Sequence, residues 1–175
     1  PGHPVPGGRV NGYASRLHYF SDWIGDNEEK GLVREVTSAL GGEEDSSPVH
    51  FMTDHPEAYR QMANGETWAA IQEAESRLNR LLRFKILEED VGQHLEEILN
   101  GDIIAATSTV DGLDVAHTGL AIWQDSELHL LHAPLVGGVV EVSRLSLDQR
   151  ILRLSGQDGI RVVRPQDRSS EGLHP

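Results

Sequence analysis

The chain has 175 residues, a formal net charge of −13 at neutral pH, a pI near 5.0 and no cysteine. A chain of this length can bury about 70% of its unfolded surface, so we expect a single domain over residues 1–175. The acidic charge argues against a nucleic-acid or anionic-membrane partner, because both bind a basic face. No apolar run reaches the roughly 18–20 residues of a membrane helix, and no signal peptide is visible. Without cysteine, these residues contain no disulfide, thiolate metal ligand or thiol nucleophile.

The first quarter of the chain is predicted to be mostly loop and strand. Residues 1–12 are rich in proline and glycine, which predicts a loop. Residues 13–30 hold four of the nine aromatic side chains. Residues 31–40 alternate well enough to form a strand, and residues 43–48 read as an acidic loop.

The rest of the chain alternates between helical and strand patterns. Helices are predicted from about residue 55 to residue 84, including an amphipathic surface helix, and a second helix over residues 88–99. The predicted strands are residues 101–104, 117–123, 128–133, 137–142 and 159–163. A helix over residues 146–154 and a polar tail over residues 167–175 complete the prediction.

A histidine lies in the second of these strands among residues that are otherwise apolar. Alternate strand residues share a face, so the small Gly119 and Ala121 leave space beside His117. A reacting group could approach the imidazole there and use it as a general base or acid. The alternative is a half-buried histidine bonded to a backbone carbonyl.

Two further histidines follow in the next strand. His129 and His132 differ by three positions and therefore lie on opposite faces, so at most one of them can be a partner of His117. This parity also argues against zinc, which needs three or four converging ligands. A helical His-Glu-x-x-His is absent as well, and we predict no metal site.

An aromatic wall, a cation and an anion occur together in residues 15–23. These groups could form a pocket for a polar, partly acidic small molecule such as a sugar-peptide. The alternative is a helix that packs Leu17, Phe20 and Ile24 inward and leaves its charges in solvent.

Several motifs, in order and spacing, resemble the NlpC/p60 superfamily of papain-like cell-wall cysteine peptidases and amidases. They are Leu99-x-Gly101-Asp102-Ile103-Ile104, His117-x-Gly119-Leu120-Ala121-Ile122 and Leu131-His132-Ala133. Residues 12–24 and 51–56, with weaker support from residues 113–115 and 159–164, resemble more specifically its N-acetylmuramoyl-L-alanine amidase-like branch, catalogued as domain of unknown function 1460. The resemblance covers about residues 9–165.

The resemblance implies an α+β, papain-like NlpC/p60 fold with a central antiparallel sheet of about five strands packed with helices. It implies a bacterial cysteine amidase that needs no cofactor and hydrolyses the N-acetylmuramoyl-L-alanine amide bond of murein fragments (muropeptides). The implied catalytic residues are His117 and His132, the second orienting the first, while His129 faces away. The implied substrate-binding residues are Arg16, His18, Tyr19, Asp22 and Trp23.

The sequence departs from this family at the nucleophile. The family's cysteine begins a helix upstream of the segment that matches residues 16–23, and no cysteine is present here. We expect an N-terminally truncated enzyme that is inactive alone, with one sheet face partly uncovered and marginal stability. The alternatives are a muropeptide-binding module or enzyme remnant without a nucleophile, and a metal-dependent hydrolase using His117 with His129 or His132. The compartment is left open, although a murein substrate points to the cell envelope or periplasm.

Overall fold

The structure is a computed structural model that describes residues 12–167. Within this range, an antiparallel sheet of eight strands lies at the centre of an α+β fold. The strands are β1 (Val33–Glu35), β2 (Glu43–Glu44), β3 (Phe84–Leu87), β4 (Ile103–Ser108), β5 (Val115–Gln124), β6 (Glu127–His132), β7 (Glu141–Val142) and β8 (Gln157–Pro165). Their order is β2-β3-β8-β4-β5-β6-β7, and β1 pairs with the C-terminal half of β8.

Four α-helices and several short 3-10 turns surround the sheet in the described part of the chain. The helices are α1 (Phe20–Glu29), α2 (Phe51–Asp54), α3 (Gly65–Leu78) and α4 (Leu147–Arg153). The turns are Tyr13–Ser15, Pro56–Ala58, Arg60–Ala63, Val91–Gln93 and Leu95–Glu97. None of the helices in residues 12–167 is long and apolar enough to cross a membrane.

Strand β8 is central because side chains on both of its faces are buried. Ile160 and Val162 belong to the main core, which α4 covers with Leu147 and Ile151. Each such buried aliphatic side chain contributes about 1.5–3 kcal/mol of hydrophobic transfer free energy. On the other face, Val163 packs against α1. The sheet is therefore covered on both sides around β8.

Helix α1 lies on that second face and connects the sheet to a smaller cluster. Ile24 of α1 is 2% exposed and packs with Val33 and Val163. Just before the helix, Tyr19 is buried in a cluster with Ile71 and Leu78 of α3. This packing fixes the start of α1 between the sheet and α3.

The prediction of about five strands is wrong, because the sheet has eight. Strands β1, β2 and β7 contain only two or three residues, too few to show alternation. The strands predicted over residues 31–40 and 137–142 are limited to β1 and β7, and the acidic loop contains β2. The strand predicted over residues 159–163 and the helix predicted over residues 146–154 are confirmed as β8 and α4.

The helix predicted over residues 88–99 is also wrong. Two 3-10 turns occupy this stretch and bury Val91 and Ile98 completely, so the apolar spacing that suggested a helix is satisfied by tighter turns. The helical stretch predicted to reach residue 84 ends at Leu78, and Phe84 begins β3. The loop predicted over residues 1–12 and the polar tail lie almost wholly outside the described residues.

Candidate functional site

His117 and His132 form a hydrogen-bonded pair on one face of the sheet. The register pairs Leu120 with Leu131, and its continuation places His132 opposite Gly119, on the same face as His117. The His117 Nε2 and His132 Nδ1 atoms are 2.8 Å apart. The rings meet edge to face, with centroids 4.9 Å apart and an interplanar angle of 86°.

The surroundings favour the neutral form of both rings. Burial lowers the pKa of His117, and the positive charge of Arg150 lowers it further, with a smaller contribution from His132. Burial and Arg150 also lower the pKa of His132, against an opposing effect of Glu141. One ring therefore donates to the other as a neutral imidazole, and at neutral pH either ring can accept a proton.

The pair leaves one nitrogen of each ring without a hydrogen bond in the described part of the chain. The buried Nε2 of His132 has no partner there, and no bond involves Nδ1 of His117. If Nε2 of His117 carries the hydrogen and donates it to His132, Nδ1 of His117 holds a free lone pair. In this tautomer His117 is a base at Nδ1. In the other tautomer Nδ1 of His132 donates to Nε2 of His117, and Nδ1 of His117 carries the hydrogen.

The space predicted beside His117 is filled at Gly119. A Cβ atom built on Gly119 would lie 2.6 Å from Cγ of Leu130 and 2.8 Å from the carbonyl oxygen of Leu131. Leu130 is 2% exposed and belongs to the main core. Glycine is therefore required here for close packing between β5 and β6, and approach to His117 must come from another side.

A cleft of about 470 Å³ lies between His117 and the start of α1. Its lining includes His18, Trp23, Asp114 and Thr118. The cleft therefore combines an aromatic wall, a buried carboxylate and the imidazole of His117.

Three of the five predicted binding residues line this cleft: His18, Tyr19 and Trp23. His18 Nε2 donates to the carbonyl oxygen of Tyr13 at 2.9 Å, and the two rings are in contact. Trp23 stacks on Phe20 with ring centroids 5.2 Å apart. Both side chains are half-buried, so their rings are held in place and still reachable from the cleft.

Tyr19 has a further structural role, because its ring is only 4% exposed. Its hydroxyl donates to Oε1 of Glu75 at 2.6 Å and accepts the backbone N–H of Met52 at 2.9 Å. Burial raises the pKa of Tyr19 well above its usual value, and the bond to Glu75 raises it further. The hydroxyl is thus already used within the fold.

The other two predicted binding residues, Arg16 and Asp22, are not among the residues that line the cleft. Arg16 is exposed. Asp22 accepts a hydrogen bond from Nη2 of Arg77 on α3 at 2.8 Å. Of this segment, the aromatic rings therefore line the cleft, while the charged side chains of Arg16 and Asp22 do not.

His129 faces away from the pair, as the family resemblance implies. Its Nδ1 donates to the carbonyl oxygen of Ser143 at 2.9 Å. Among residues 12–167, no group of three or more histidine, cysteine or acidic side chains could hold a metal ion. No observation on these residues favours the metal-dependent hydrolase.

Sequence reasoning did not find Asp114 or Arg150. Asp114 is 8% exposed and lines the cleft, and its signal was only that an acidic residue directly precedes the strand of His117. Arg150 lies in α4, far along the chain from either histidine. No spacing rule connects it to them, because its effect depends on how α4 packs on the sheet.

An apolar groove of about 410 Å³ adjoins the cleft. Phe20 and Trp23 belong to both, and the groove continues over Leu120, Leu131 and Val140. Leu120 is 42% exposed and Val140 is 69% exposed. Large apolar side chains thus meet solvent next to the cleft, with Leu120 and Leu131 on the sheet face opposite to that of the histidine pair.

Comparison with known families gives a match over most of the chain. The model of the AmiA-like family, described as N-acetylmuramoyl-L-alanine amidase-like, matches residues 6–156. The chain belongs to this AmiA-like family. Comparison with curated proteins gives no match.

Solved structures agree with the family. An N-acetylmuramoyl-L-alanine amidase from Bacteroides uniformis is 34% identical, with a TM-score of 0.88 over 94% of this chain and 70% of that one. A Bacteroides fragilis protein named as a candidate xylanase is 37% identical, with a TM-score of 0.87 over 92% of this chain and 71% of that one.

A more distant structure shares the fold. A Legionella pneumophila protein assigned to domain of unknown function 1460 is 20% identical, with a TM-score of 0.64 over 94% of this chain and 66% of that one. At that identity the likeness concerns the fold alone. The AmiA-like chain described here therefore has an amidase-like α+β fold, and its family supports a cell-wall amidase-like function.

Proposed function

We propose that the cleft is the histidine side of a cysteine amidase site of the NlpC/p60, papain-like type, acting on the N-acetylmuramoyl-L-alanine bond of muropeptides. The observation that carries this proposal is the 2.8 Å hydrogen bond between Nε2 of His117 and Nδ1 of His132. The bond orients His117, and with Nε2 of His117 as the donor it leaves Nδ1 available as the base that a cysteine nucleophile requires.

In the proposed reaction, Nδ1 of His117 takes the proton of a cysteine thiol. The thiolate attacks the carbonyl carbon of the lactyl group, and His117 then protonates the leaving amine of L-alanine. Water hydrolyses the thioester and releases N-acetylmuramic acid. His132 holds the imidazole in the tautomer that can accept the proton. Because these 175 residues contain no cysteine, the thiol would come from outside them.

The residues around the cleft suit a muropeptide. We assign Trp23 to stacking against the sugar or peptide, while His18 offers hydrogen bonds to polar groups. Tyr19 contributes to the wall of the cleft. Arg16 and Asp22, which lie outside the lining of the cleft, would form ion pairs with charged groups of the peptide stem.

The apolar groove suits the helix that carries the cysteine in the resembled family. Leu120, Leu131 and Val140 would pack against that helix and lose their exposure to water. Its N-terminus, where the helix dipole favours a thiolate, would approach the histidine pair at Thr118 and Ala133, which line both the groove and the cleft.

Glycoside hydrolysis, suggested by the name of one relative, has less support. Most glycosidases use two carboxyl groups that flank the scissile bond. Of the described residues that line the cleft, Asp114 is the only carboxylic acid, and its carboxylate already accepts backbone N–H groups.

The test measures release of L-alanyl peptides from N-acetylmuramoyl-L-alanyl peptides by mass spectrometry, using the full-length gene product. His117→Ala is expected to lower kcat about 10³-fold or more, and His132→Ala to lower it less. His129→Ala is the matched control, because His129 is bonded to backbone carbonyls, and it is expected to keep wild-type activity. Hydrolysis that survives His117→Ala would contradict the proposal.

A muropeptide-binding module is the second candidate, favoured by the absence of cysteine from the 175 residues. It predicts heat on titration with N-acetylmuramoyl-L-alanine and no turnover by the full-length gene product. Turnover that iodoacetamide abolishes would exclude it, because this reagent alkylates a thiolate.

A further inference from the structure

Helix α1 has no capping side chain of its own. Its N-cap residue is Tyr19, which makes no side-chain cap bond. Tyrosine cannot play the role of the serine, threonine or aspartate that usually accepts the first helical N–H groups. One of those donors is satisfied from elsewhere in the fold, because Oδ2 of Asp114 accepts the backbone N–H of Ser21 at 2.8 Å.

Asp114 is held rigidly where it performs this capping. It is 8% exposed, and its Oδ1 accepts the backbone N–H of Val115 at 2.8 Å. Val115 is the first residue of β5, the strand that carries His117. A carboxylate at a helix N-terminus also interacts favourably with the helix dipole. Asp114 therefore joins the start of α1 directly to the histidine strand.

Ser21 is fixed from a second direction. Nη1 of Arg161 donates to the Ser21 hydroxyl at 2.6 Å. The same guanidinium makes a two-pronged ion pair with Glu35, at 2.8 and 2.9 Å. Arg161 is 3% exposed and lies on β8. The arginine ties α1 to the middle of the sheet, and Asp114 ties it to β5.

The cleft lies between the two elements that Asp114 joins. One wall is the start of α1 with His18 and Trp23, and the other is β5 with His117. A change in the position of α1 would change the distance between the aromatic wall and the imidazole.

We propose that Asp114 is a positioning residue that caps α1 from β5 and so sets the width of the substrate cleft. Its carboxylate makes the aromatic wall and the histidine a single rigid unit. This inference rests on the proposed function only for the identity of the ligand, because the capping contact itself is independent of it.

The experiment compares Asp114→Ala with Asp45→Ala in the same chain. Asp45 is a matched control, since it is also 8% exposed and its Oδ1 also accepts a backbone N–H, from Ser47 at 3.0 Å. It does not line the cleft. Thermal unfolding of both variants is measured first, so that they are compared at equal folded fractions.

The first readout is hydrogen exchange of the Ser21 amide, together with the NMR shifts of the Trp23 indole and the His117 imidazole. Asp114→Ala is expected to speed exchange at Ser21 by about tenfold or more, since the amide loses its acceptor, and to move both ring signals. Asp114→Asn is expected to restore much of the protection, because its amide oxygen can accept the same hydrogen. Asp45→Ala leaves all three signals unchanged.

The second readout is the Kd for N-acetylmuramoyl-L-alanine by calorimetry. Asp114→Ala is expected to weaken binding about tenfold or more, Asp114→Asn less, and Asp45→Ala not at all. Equal affinities of the Asp114→Ala and Asp45→Ala variants would overturn the positioning role. If the unmodified chain gives no binding heat, the proposed ligand is wrong, and the exchange and shift data alone decide the role of Asp114.

Discussion

The charge state of the histidine pair depends on a residue of another element. Burial lowers the pKa of His117 and His132 below the ordinary value of 6.5, and the positive charge of Arg150 in α4 lowers it further. The folded chain therefore binds fewer protons at these rings than the unfolded chain does just below pH 6.5. The contribution of these rings to the free energy of unfolding is fully present above pH 6.5. It is lost as the pH falls through the lowered pKa values of the folded state, by about 1.4 kcal/mol for each unit of pKa difference.

We predict that Arg150→Gln raises the pKa of both rings, because it removes a nearby positive charge. Titration of the imidazole signals by NMR measures this, and urea unfolding between pH 7 and pH 5 should show a smaller loss of stability than in the unmodified chain. Arg153→Gln, on the same helix and exposed, is the control. An equal effect of both variants would mean that the overall net charge, and not Arg150, determines these pKa values.

Gly119 is the second residue on which the pair depends. We predict that Gly119→Ala destabilises the fold by about 1–3 kcal/mol, as overpacking of a core does, since its Cβ would overlap Leu130 and the backbone of Leu131. Chemical denaturation measures the change. Gly25→Ala is the matched control: it lies within α1 with nothing within 4 Å of the new Cβ, and should stabilise the helix by about 0.5–1 kcal/mol.

The prediction of the partner of His117 was limited by the register of the hairpin between β5 and β6. Parity showed that only one of His129 and His132 could face His117, and it could not choose between them. The choice depends on the turn at Asp125 and Ser126, which both have positive φ, +48° and +69°, as in a type I′ turn. A two-residue turn there pairs Gln124 with Glu127, and this register places His132 on the same face as His117. Asp-Ser is a weak signal for this turn, which is usually Asn-Gly.

At the scale of elements, Tyr19 joins three helices through one carboxylate. Glu75 of α3 is 3% exposed and accepts the Tyr19 hydroxyl, the backbone N–H of Thr53 at 3.1 Å and the Thr53 hydroxyl at 2.5 Å. The Tyr19 hydroxyl also accepts the N–H of Met52 in α2. The start of α1 is thus held against α2 and α3 by buried hydrogen bonds.

We predict that Tyr19→Phe lowers the free energy of unfolding by about 1–3 kcal/mol, because Met52 N–H loses its acceptor and Glu75 loses a donor in a buried place. Guanidinium unfolding measures the loss. Tyr59→Phe is the control, since Tyr59 packs at the edge of the same cluster and makes no hydroxyl hydrogen bond within the described range. A similar loss in the control would assign the effect to packing instead of to the bonds.

Elements were predictable from the sequence where local pattern and packing agree. The apolar spacing of Ile71 and Leu78 predicts α3, and both residues are buried in it. The same kind of spacing failed at Val91, Leu95 and Ile98, since two 3-10 turns also place such residues on one side. Strand β2 was not predictable, because Glu43 and Glu44 pair only with β3, a partner about forty residues away.

At the scale of the whole molecule, the family resemblance implied the α+β class, and the patterns of the long strands agree with it. The short strands at the sheet edges could not be predicted, since such strands are recognised only by the hydrogen bonds that they make to a neighbouring strand. The capping of α1 by Asp114 belongs to the same class of feature. It joins residues 93 positions apart, so no local rule could find it, and the wall of the cleft depends on it.

The whole molecule also combines a large negative charge with an exposed apolar surface. Leu120 and Val140 in the groove, and the neighbouring Leu135, Val136 and Val139, are all more than two-fifths exposed. A net charge of −13 opposes association at neutral pH, and this repulsion disappears near the pI of about 5.0.

We therefore predict that the 175-residue chain self-associates as the pH approaches 5. The double variant Leu120→Ser, Val140→Ser is expected to reduce this association several-fold, because it removes apolar area that two copies would otherwise bury. Light scattering between pH 8 and pH 5 measures it. The control replaces Leu152 and Leu154, which are 55% and 37% exposed at the end of α4, with serine. If the control variant reduces scattering as much as the groove variant, association depends on total apolar surface. If only the groove variant does, the groove is the surface that a packing partner covers, which is the property that the proposed cysteine-bearing helix requires.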